Sequence, residues 1–104
     1  MMIKVYGSDL CPDCVALKVS LDNAGVAYNY VNIMESMANF KAFLSMRDHN
    51  SLFDVCRENG SAGIPVIEEE DGTLTIAYEE WLHAHGIAVV PRSGQACSLD
   101  GKGC

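Results

Sequence analysis

Apolar and β-branched residues, interrupted only by Lys4, run from Met2 to Tyr6 and stop at Gly7, Ser8 and Asp9, the pattern of a buried strand entering a loop. Cys11-Pro12 then opens a helix. Proline is tolerated at the first helical position, where its missing N–H would be unpaired anyway, and this places Cys11 at the N-cap. Cys14, Leu17 and Leu21 recur on one face, Lys18 and Asp22 fall elsewhere, and Asn23-Ala24-Gly25 supplies the stop. Val26 to Ile33 alternates as a second strand, with Val26, Tyr28 and Tyr30 on one face and Ala27, Val31 and Ile33 on the other. Strand, helix and strand in so short a span imply a right-handed parallel crossover.

From Glu35 to Asn59 the pattern is helical again. Met37, Phe40 and Leu44 share one face, Phe43 and Met46 broaden it, Asp48-His49-Asn50-Ser51 interrupts it, and Leu52, Val55 and Cys56 resume it. One kinked helix or two short ones, ending at Asn59-Gly60, are expected. Ile64 to Glu68 and Thr73 to Ala77 read as strands of a hairpin turned through Asp71-Gly72. Tyr78 to His85 makes a short closing helix around Trp81 and Leu82, stopped by Gly86. The order is βαβαββα, an α/β fold in which a four-stranded mixed sheet carries helices on both faces. Residues 1–86 are read as the domain. Residues 87–104 are read as a flexible C-terminal tail carrying Cys97 and Cys104, because after Ile87-Ala88-Val89-Val90-Pro91 the residues from Arg92 on are small and polar with no apolar period.

A chain of 104 residues, 49% of them hydrophobic, has room for one core. Seven basic against fourteen acidic residues give a net charge of −7, and phosphate-backbone affinity comes from Lys and Arg, so nucleic acid is a poor partner. The acid gathers at Glu68, Glu69, Glu70 and Asp71, with Glu79 and Glu80 close behind; it reads first as a solvated rim and second as a dock for a basic partner. No apolar run approaches the length of a membrane span and no secretion signal opens the chain, which suits a cytoplasmic protein. Five cysteines in that setting point to redox chemistry, metal or buried thiols rather than a disulfide framework.

Cys11-Pro12-Asp13-Cys14 carries the most information. Two cysteines so spaced at a helix start can reach disulfide geometry, with the first sulfur near the unpaired N–H groups of the opening turn. Those donors favour thiolate on Cys11. Cys14, one turn in, is expected to be more buried and less acidic, so that Cys11 attacks a substrate disulfide and Cys14 resolves the mixed disulfide. Asp9 and Asp13 oppose the thiolate. A charge about 7 Å away costs roughly 0.6 kcal/mol in water-like screening and about 2.4 kcal/mol at an effective dielectric near 20. Both carboxylates are expected to be exposed, which selects the smaller figure.

The Cys-Pro-x-Cys motif after a Val5-Tyr6 strand end, the βαβαββα order and Ile64-Pro65 opening the hairpin together resemble a glutaredoxin of the thioredoxin-like superfold, over roughly residues 2 to 86. The long second helical segment with Phe40, Phe43, Arg47-Asp48 and Phe53, followed by Gly63-Ile64-Pro65 and Asp71-Gly72, is similar to small bacterial glutaredoxin-related proteins. The resemblance implies a thiol-disulfide oxidoreductase that binds no resident cofactor. It implies a proline at Pro65 that is cis and faces the cysteines, and a backbone at Ile64 that pairs with the bound thiol peptide. Pro12, Asp13, Ile64 and Pro65 thus become candidate substrate-contacting residues beside the catalytic pair Cys11 and Cys14. The implied partners are a disulfide-containing protein or a glutathione mixed disulfide, with electrons from glutathione or a thioredoxin-type reductase. The chain departs from the family at Asp13, where Tyr or Phe is usual, and at Ser8, where a lysine usually helps to bind glutathione. It also departs at Gly63-Ile64-Pro65, where Thr-Val-Pro is usual, and at Ile76-Ala77-Tyr78-Glu79-Glu80, where the family has a Gly-Gly pair followed by an acidic residue. Dithiol exchange is therefore implied more directly than glutathione binding.

Other residues read more plainly. A non-enzymatic thiol or metal-binding module would need ligands beyond Cys11 and Cys14; Cys97 and Cys104 are candidates, but their spacing is wider than that of a usual structural zinc pair. No metal is expected. The tail pair is read as incidental or weakly regulatory, with an auxiliary dithiol passing electrons to or from Cys11 and Cys14 as the alternative. Cys56 is read as core, His49, His83 and His85 as unrelated to metal, and Tyr6 and Tyr78 as packing residues that could border the thiols.

Overall fold

In a computed structural model, the described residues are 2–91. The elements are β1 (Ile3–Gly7), α1 (Pro12–Asn23), β2 (Tyr28–Asn32), α2 (Met37–His49), a 3-10 turn (Ser51–Phe53), α3 (Asp54–Asn59), β3 (Val66–Glu68), β4 (Leu74–Thr75) and α4 (Tyr78–Ala84). The sheet order is β2-β1-β3-β4. β2 lies parallel to β1, as the crossover requires, and β3 and β4 are antiparallel to their neighbours. This is the expected thioredoxin-like α/β arrangement.

Side chains alternate across the sheet. Val5, paired with Ile67, packs with Leu17 and Leu21 of α1 and Trp81 and Leu82 of α4. Tyr6, paired with Val66, packs on the other face with Phe43 of α2, Phe53 and Cys56. Both thiols of the tetrapeptide belong to this second cluster, at the end of β1.

Two expectations for the middle of the chain need correction. Phe43, not Leu44, is the buried centre of α2, with Phe40 and Met46 beside it, whereas Met37 is 64% exposed in the first turn. After α2, Phe53 and Cys56 point inward while Leu52 and Val55 face solvent. Extended backbone at Asn50 and the 3-10 turn reset the helical phase, so a period of 3.6 carried through from α2 marks the wrong face.

The stops fall at glycines with positive φ: Gly25 after α1, Gly60 after α3 and Gly86 after α4. The packed chain nevertheless continues past Gly86. Ile87 and Val89 cover the α1–α4 cluster, and the Val90 N–H donates to Ser20 Oγ at 2.9 Å. The remainder of the expected tail, with Cys97 and Cys104, lies outside the described residues.

Candidate active site

Cys11 is the N-cap of α1 and Pro12 occupies the first turn. Ser8 shapes the approach: its carbonyl accepts from the Cys11 N–H at 3.1 Å, and its hydroxyl accepts from the Leu10 N–H at 3.1 Å. Gly7 lets Cys14 approach β1, because a Cβ at Gly7 would lie 2.8 Å from Cys14 Sγ. Cys11 and Cys14 are 1% and 0% exposed. Cys11 is therefore as covered as its partner, contrary to the expectation of a difference, because its side chain packs among Tyr6, Ile64 and Cys14.

The two thiols are nevertheless distinct. The Cys14 thiol donates to Cys11 sulfur and holds its pKa below the ordinary value; the N–H groups of Cys14 and Asp13 add to this, while burial and the charge of Asp13 oppose it. The same hydrogen bond, with burial and the Cys11 charge, pushes Cys14 far above the thiol range.

Asp13 is 9% exposed, which overturns the expectation that its carboxylate faces water. The Tyr78 hydroxyl, from the start of α4, donates to Asp13 Oδ1 at 3.0 Å and covers it. Burial leaves that charge less screened than an exposed carboxylate's, yet it is the smallest of the influences on Cys11. Cys11 remains acidic because the hydrogen bonds to its sulfur outweigh that charge. Asp9 is exposed as expected and is paired with Lys18 at 3.0 Å.

Ile64 lies in the same cluster as both thiols, and the Ile64–Pro65 peptide is cis. A depression of about 490 Å³ beside the motif is lined by Asp13, Ile64 and Pro65 together with Ile76 to Glu80 and Val89 to Pro91. The structure thus brings Asp13, Ile64 and Pro65 to one cavity, while Cys11 and Cys14 are buried in the cluster that Ile64 shares and do not line it. Tyr6 packs beside the thiols and donates to Glu68 at 3.1 Å; Tyr78 touches the motif through Asp13.

Arg47 is a positioning residue whose role the sequence does not reveal. Its Nε donates to Ala62 O and its Nη2 to Ser61 O, both at 2.8 Å, tying α2 to the segment that leads into Ile64-Pro65. Gly63 completes that segment: at φ 96° its absent Cβ would meet Phe53 Cδ1 at 3.0 Å. An arginine directly followed by an acidic residue gives no sign in sequence of binding two carbonyls across a loop.

Cys56 is buried beside Gly63, and His85 stacks on Trp81 at 3.9 Å. Among the described residues no three His, Cys, Asp or Glu side chains gather to hold a metal; the tail cysteines of the metal alternative lie outside them. Among the same residues no helix is long and apolar enough to cross a membrane.

A helix-capping cysteine hydrogen-bonded by a second one a turn away, on this fold, defines a thiol-disulfide oxidoreductase-like site. Residues 3–67 match the glutaredoxin family, more than half of the chain, and the protein belongs to that family. Members of that family generally work with glutathione and disulfide substrates. An uncharacterized protein of Haemophilus influenzae is 35% identical over 72 residues, which cover 69% of this chain and 84% of that one. The crystal structure of Gtt2 from Saccharomyces cerevisiae aligns with 93% of this chain at 20% identity and a TM-score of 0.41; the chain spans 43% of that longer one.

Proposed function

We propose that the protein is a dithiol oxidoreductase in which Cys11 is the nucleophile and Cys14 the resolving thiol. The observation that carries this reading is the Cys14-to-Cys11 hydrogen bond at the opening of α1, which makes one thiol of the pair acidic and the other basic. Cys11 thiolate attacks one sulfur of a substrate disulfide, forming a mixed disulfide and expelling the other half as thiolate. Cys14 then gives up its proton and attacks Cys11 Sγ. The second substrate thiol leaves, and Cys11–Cys14 closes as a disulfide. Because Cys11 is covered, each attack requires the residues packed over it to move aside.

The substrate class is a disulfide-containing protein or a glutathione mixed disulfide, recognised along Ile64 and Pro65. The reductant is glutathione or a thioredoxin-type reductase, in a reducing compartment such as the cytoplasm. Asp13, Glu79 and Glu80 line the depression beside the site, and their charge disfavours the carboxylates of glutathione there, which supports a protein disulfide as the preferred substrate.

The test is thiol mapping by alkylation and mass across glutathione redox buffers, on the wild type and on Cys11→Ser and Cys14→Ser. A reversible Cys11–Cys14 disulfide is expected. Exchange should be lost without Cys11 and should stall as a mixed disulfide without Cys14. A pair that never closes, or that reacts only after a chelator is added, refutes the reading in favour of a thiol or metal-binding module.

A further inference from the structure

We propose that Tyr30 takes part in the resolving step: its hydroxyl donates a hydrogen bond to Cys14 Sγ when that thiol ionises. This rests on the roles of Cys11 and Cys14 given above. The first observation is an orphaned group. The Tyr30 hydroxyl oxygen is buried and has no hydrogen-bond partner among the described residues. A buried hydroxyl left unpaired costs stability, and one that persists in a folded protein calls for a reason. The second observation is its place. A Cβ on Gly7 would stand 2.8 Å from Cys14 Sγ and 3.2 Å from the Tyr30 hydroxyl, so both groups border the same bare spot at the end of β1.

Neighbours hold the phenol there without using its hydroxyl. Tyr30 pairs with Val5 in the sheet and packs against the cluster that includes Val5, Leu17 and Leu21. Lys18 Nζ, paired with Asp9 at 3.0 Å, lies 4.1 Å from the centroid of the ring, and the attraction of a cation for the ring face fixes its orientation. Asp9 acts on the phenol through its charge, outside hydrogen-bond geometry. Burial first, then the charges of Cys14 and Asp9, hold the Tyr30 pKa far above the tyrosine range. The hydroxyl therefore keeps its proton wherever the thiols work and serves as a donor. The Ser8 N–H already favours thiolate on Cys14, and Tyr30 supplies a second donor. The ionisable groups that bear on the pair are Cys11 and Asp13 at the opening of α1, Asp9 before it and Lys18 one turn after Cys14.

The orphan has its reason in the order of events. In the reduced protein Cys14 gives its proton to the hydrogen bond with Cys11, and a neutral thiol sulfur is a weak acceptor, so the Tyr30 hydroxyl has nothing to bind. Once Cys11 is bonded to a substrate sulfur, the Cys14 proton has lost its acceptor and passes to solvent. The thiolate left on Cys14 receives the Tyr30 O–H beside the Ser8 N–H. It attacks Cys11 Sγ; the Cys11–Cys14 bond forms, the bond from Cys11 to the substrate sulfur breaks, and the electron pair leaves on the substrate thiolate. Tyr30 keeps its own proton throughout. Over the two attacks the dithiol is oxidised by two electrons and the substrate disulfide is reduced by two.

The test is Tyr30→Phe, which keeps the ring and removes only the hydroxyl. The full chain, with Cys97→Ser and Cys104→Ser to remove competing thiols, is reduced and mixed with one equivalent of 5,5′-dithiobis(2-nitrobenzoate) in a stopped-flow instrument, and the products are mapped by peptide mass. Attack by Cys11 releases one thionitrobenzoate and resolution by Cys14 releases the second, so the two steps are read as two phases. A lost hydrogen bond to a charged sulfur, partly offset by the greater nucleophilicity of a more basic thiolate, should slow the second phase about three- to tenfold at neutral pH. Its pH midpoint should move upward, and the urea midpoint of the reduced protein should hold or rise because an orphaned hydroxyl is gone. A second phase unchanged in rate and pH profile overturns the inference, as does an equal slowing of both phases or a fall in the urea midpoint. If the chain with Tyr30 intact closes Cys11–Cys14 in two phases while Tyr30→Phe behaves identically, the role of Tyr30 alone fails. If the chain with Tyr30 intact releases no second thionitrobenzoate from Cys11, the dithiol reading itself fails and the role of Tyr30 with it.

Discussion

Replacing Gly7 with alanine tests whether the end of β1 is kept bare for the sulfur of Cys14. The added methyl would lie 2.8 Å from Cys14 Sγ and 3.2 Å from both Cys14 Cβ and the Tyr30 hydroxyl. Non-bonded carbon contacts are optimal at about 3.5–4.0 Å, so these neighbours must retreat. Gly7 is not among the positive-φ glycines, so backbone strain adds nothing and the cost is steric. Overpacking of this kind costs about 1–3 kcal/mol, offset by about 0.5–1 kcal/mol because alanine loses less chain entropy than glycine in a strand. A net loss of about 0.5–2 kcal/mol is expected in urea denaturation of the reduced protein. In a Cys14→Ala background the closest clash is gone, and the cost of Gly7→Ala should shrink by more than about 0.5 kcal/mol, the level at which coupling between neighbours is resolved. Displacing Cys14 also weakens its hydrogen bond to Cys11, so alkylation of Cys11 in Gly7→Ala should shift to higher pH. An equal cost in both backgrounds would refute the steric argument, and an unmoved alkylation profile would refute the chemical one.

Three further outcomes follow from the same contacts. Cys14→Ala removes the largest influence lowering the Cys11 pKa, so the pH profile of Cys11 alkylation should move upward; no movement, or movement downward, contradicts the assignment. Arg47→Lys replaces a fork that reaches two carbonyls with one ammonium, and should cost about 1–3 kcal/mol by urea midpoint, whereas a neutral result would mean that the loop before Ile64 holds itself. Stability of the reduced protein should vary with pH in opposite senses through the two thiols. Cys14, raised in the native state, contributes stability that is complete below the ordinary thiol pKa near 8.5 and is lost as pH rises above it; Cys11, lowered, contributes above that value and loses its share as pH falls through its native pKa. Denaturation midpoints should therefore fall on the alkaline side of about pH 8.5, and a midpoint still rising above pH 9 would contradict the ordering.

Local signals carried most of the fold. Pro12 after Cys11, the Leu17 and Leu21 period, Asp71-Gly72 and the glycines that end α1, α3 and α4 each act within a few residues, and each marks an element found in the structure. What sequence left hidden depends on distant partners. Asp13 reads as a surface carboxylate until Tyr78, sixty-five positions away, is seen to cover it. Val90 falls in the segment read as a loose tail until Ser20, seventy positions away, is seen to hold it. Leu52 and Val55, expected to resume the apolar face, are exposed while Phe53 is buried, for a local reason: the break in helical phase at Asn50. The thiol pair itself was legible because its chemistry needs only the spacing of two residues at the opening of one helix.

The same geometry orders the two proposed attacks in time. Cys11 is stabilised by hydrogen bonds from Cys14 and from two backbone N–H groups, not by a cation, so its acidity survives in acidic surroundings and should respond little to salt. Cys14 is held protonated first by its bond to Cys11, then by burial, then by the Cys11 charge. Two of these three causes vanish once Cys11 is bonded to a substrate sulfur: the anion is gone, and with it the acceptor that held the Cys14 proton. In the proposed mechanism Cys14 is thus held protonated while Cys11 is free, and the attack by Cys11 removes part of what holds that proton. Cys11 and Cys14 cannot join without an oxidant, and in the proposed mechanism the substrate disulfide is that oxidant; the attack that brings it in is also the one that breaks the hydrogen bond between the two thiols.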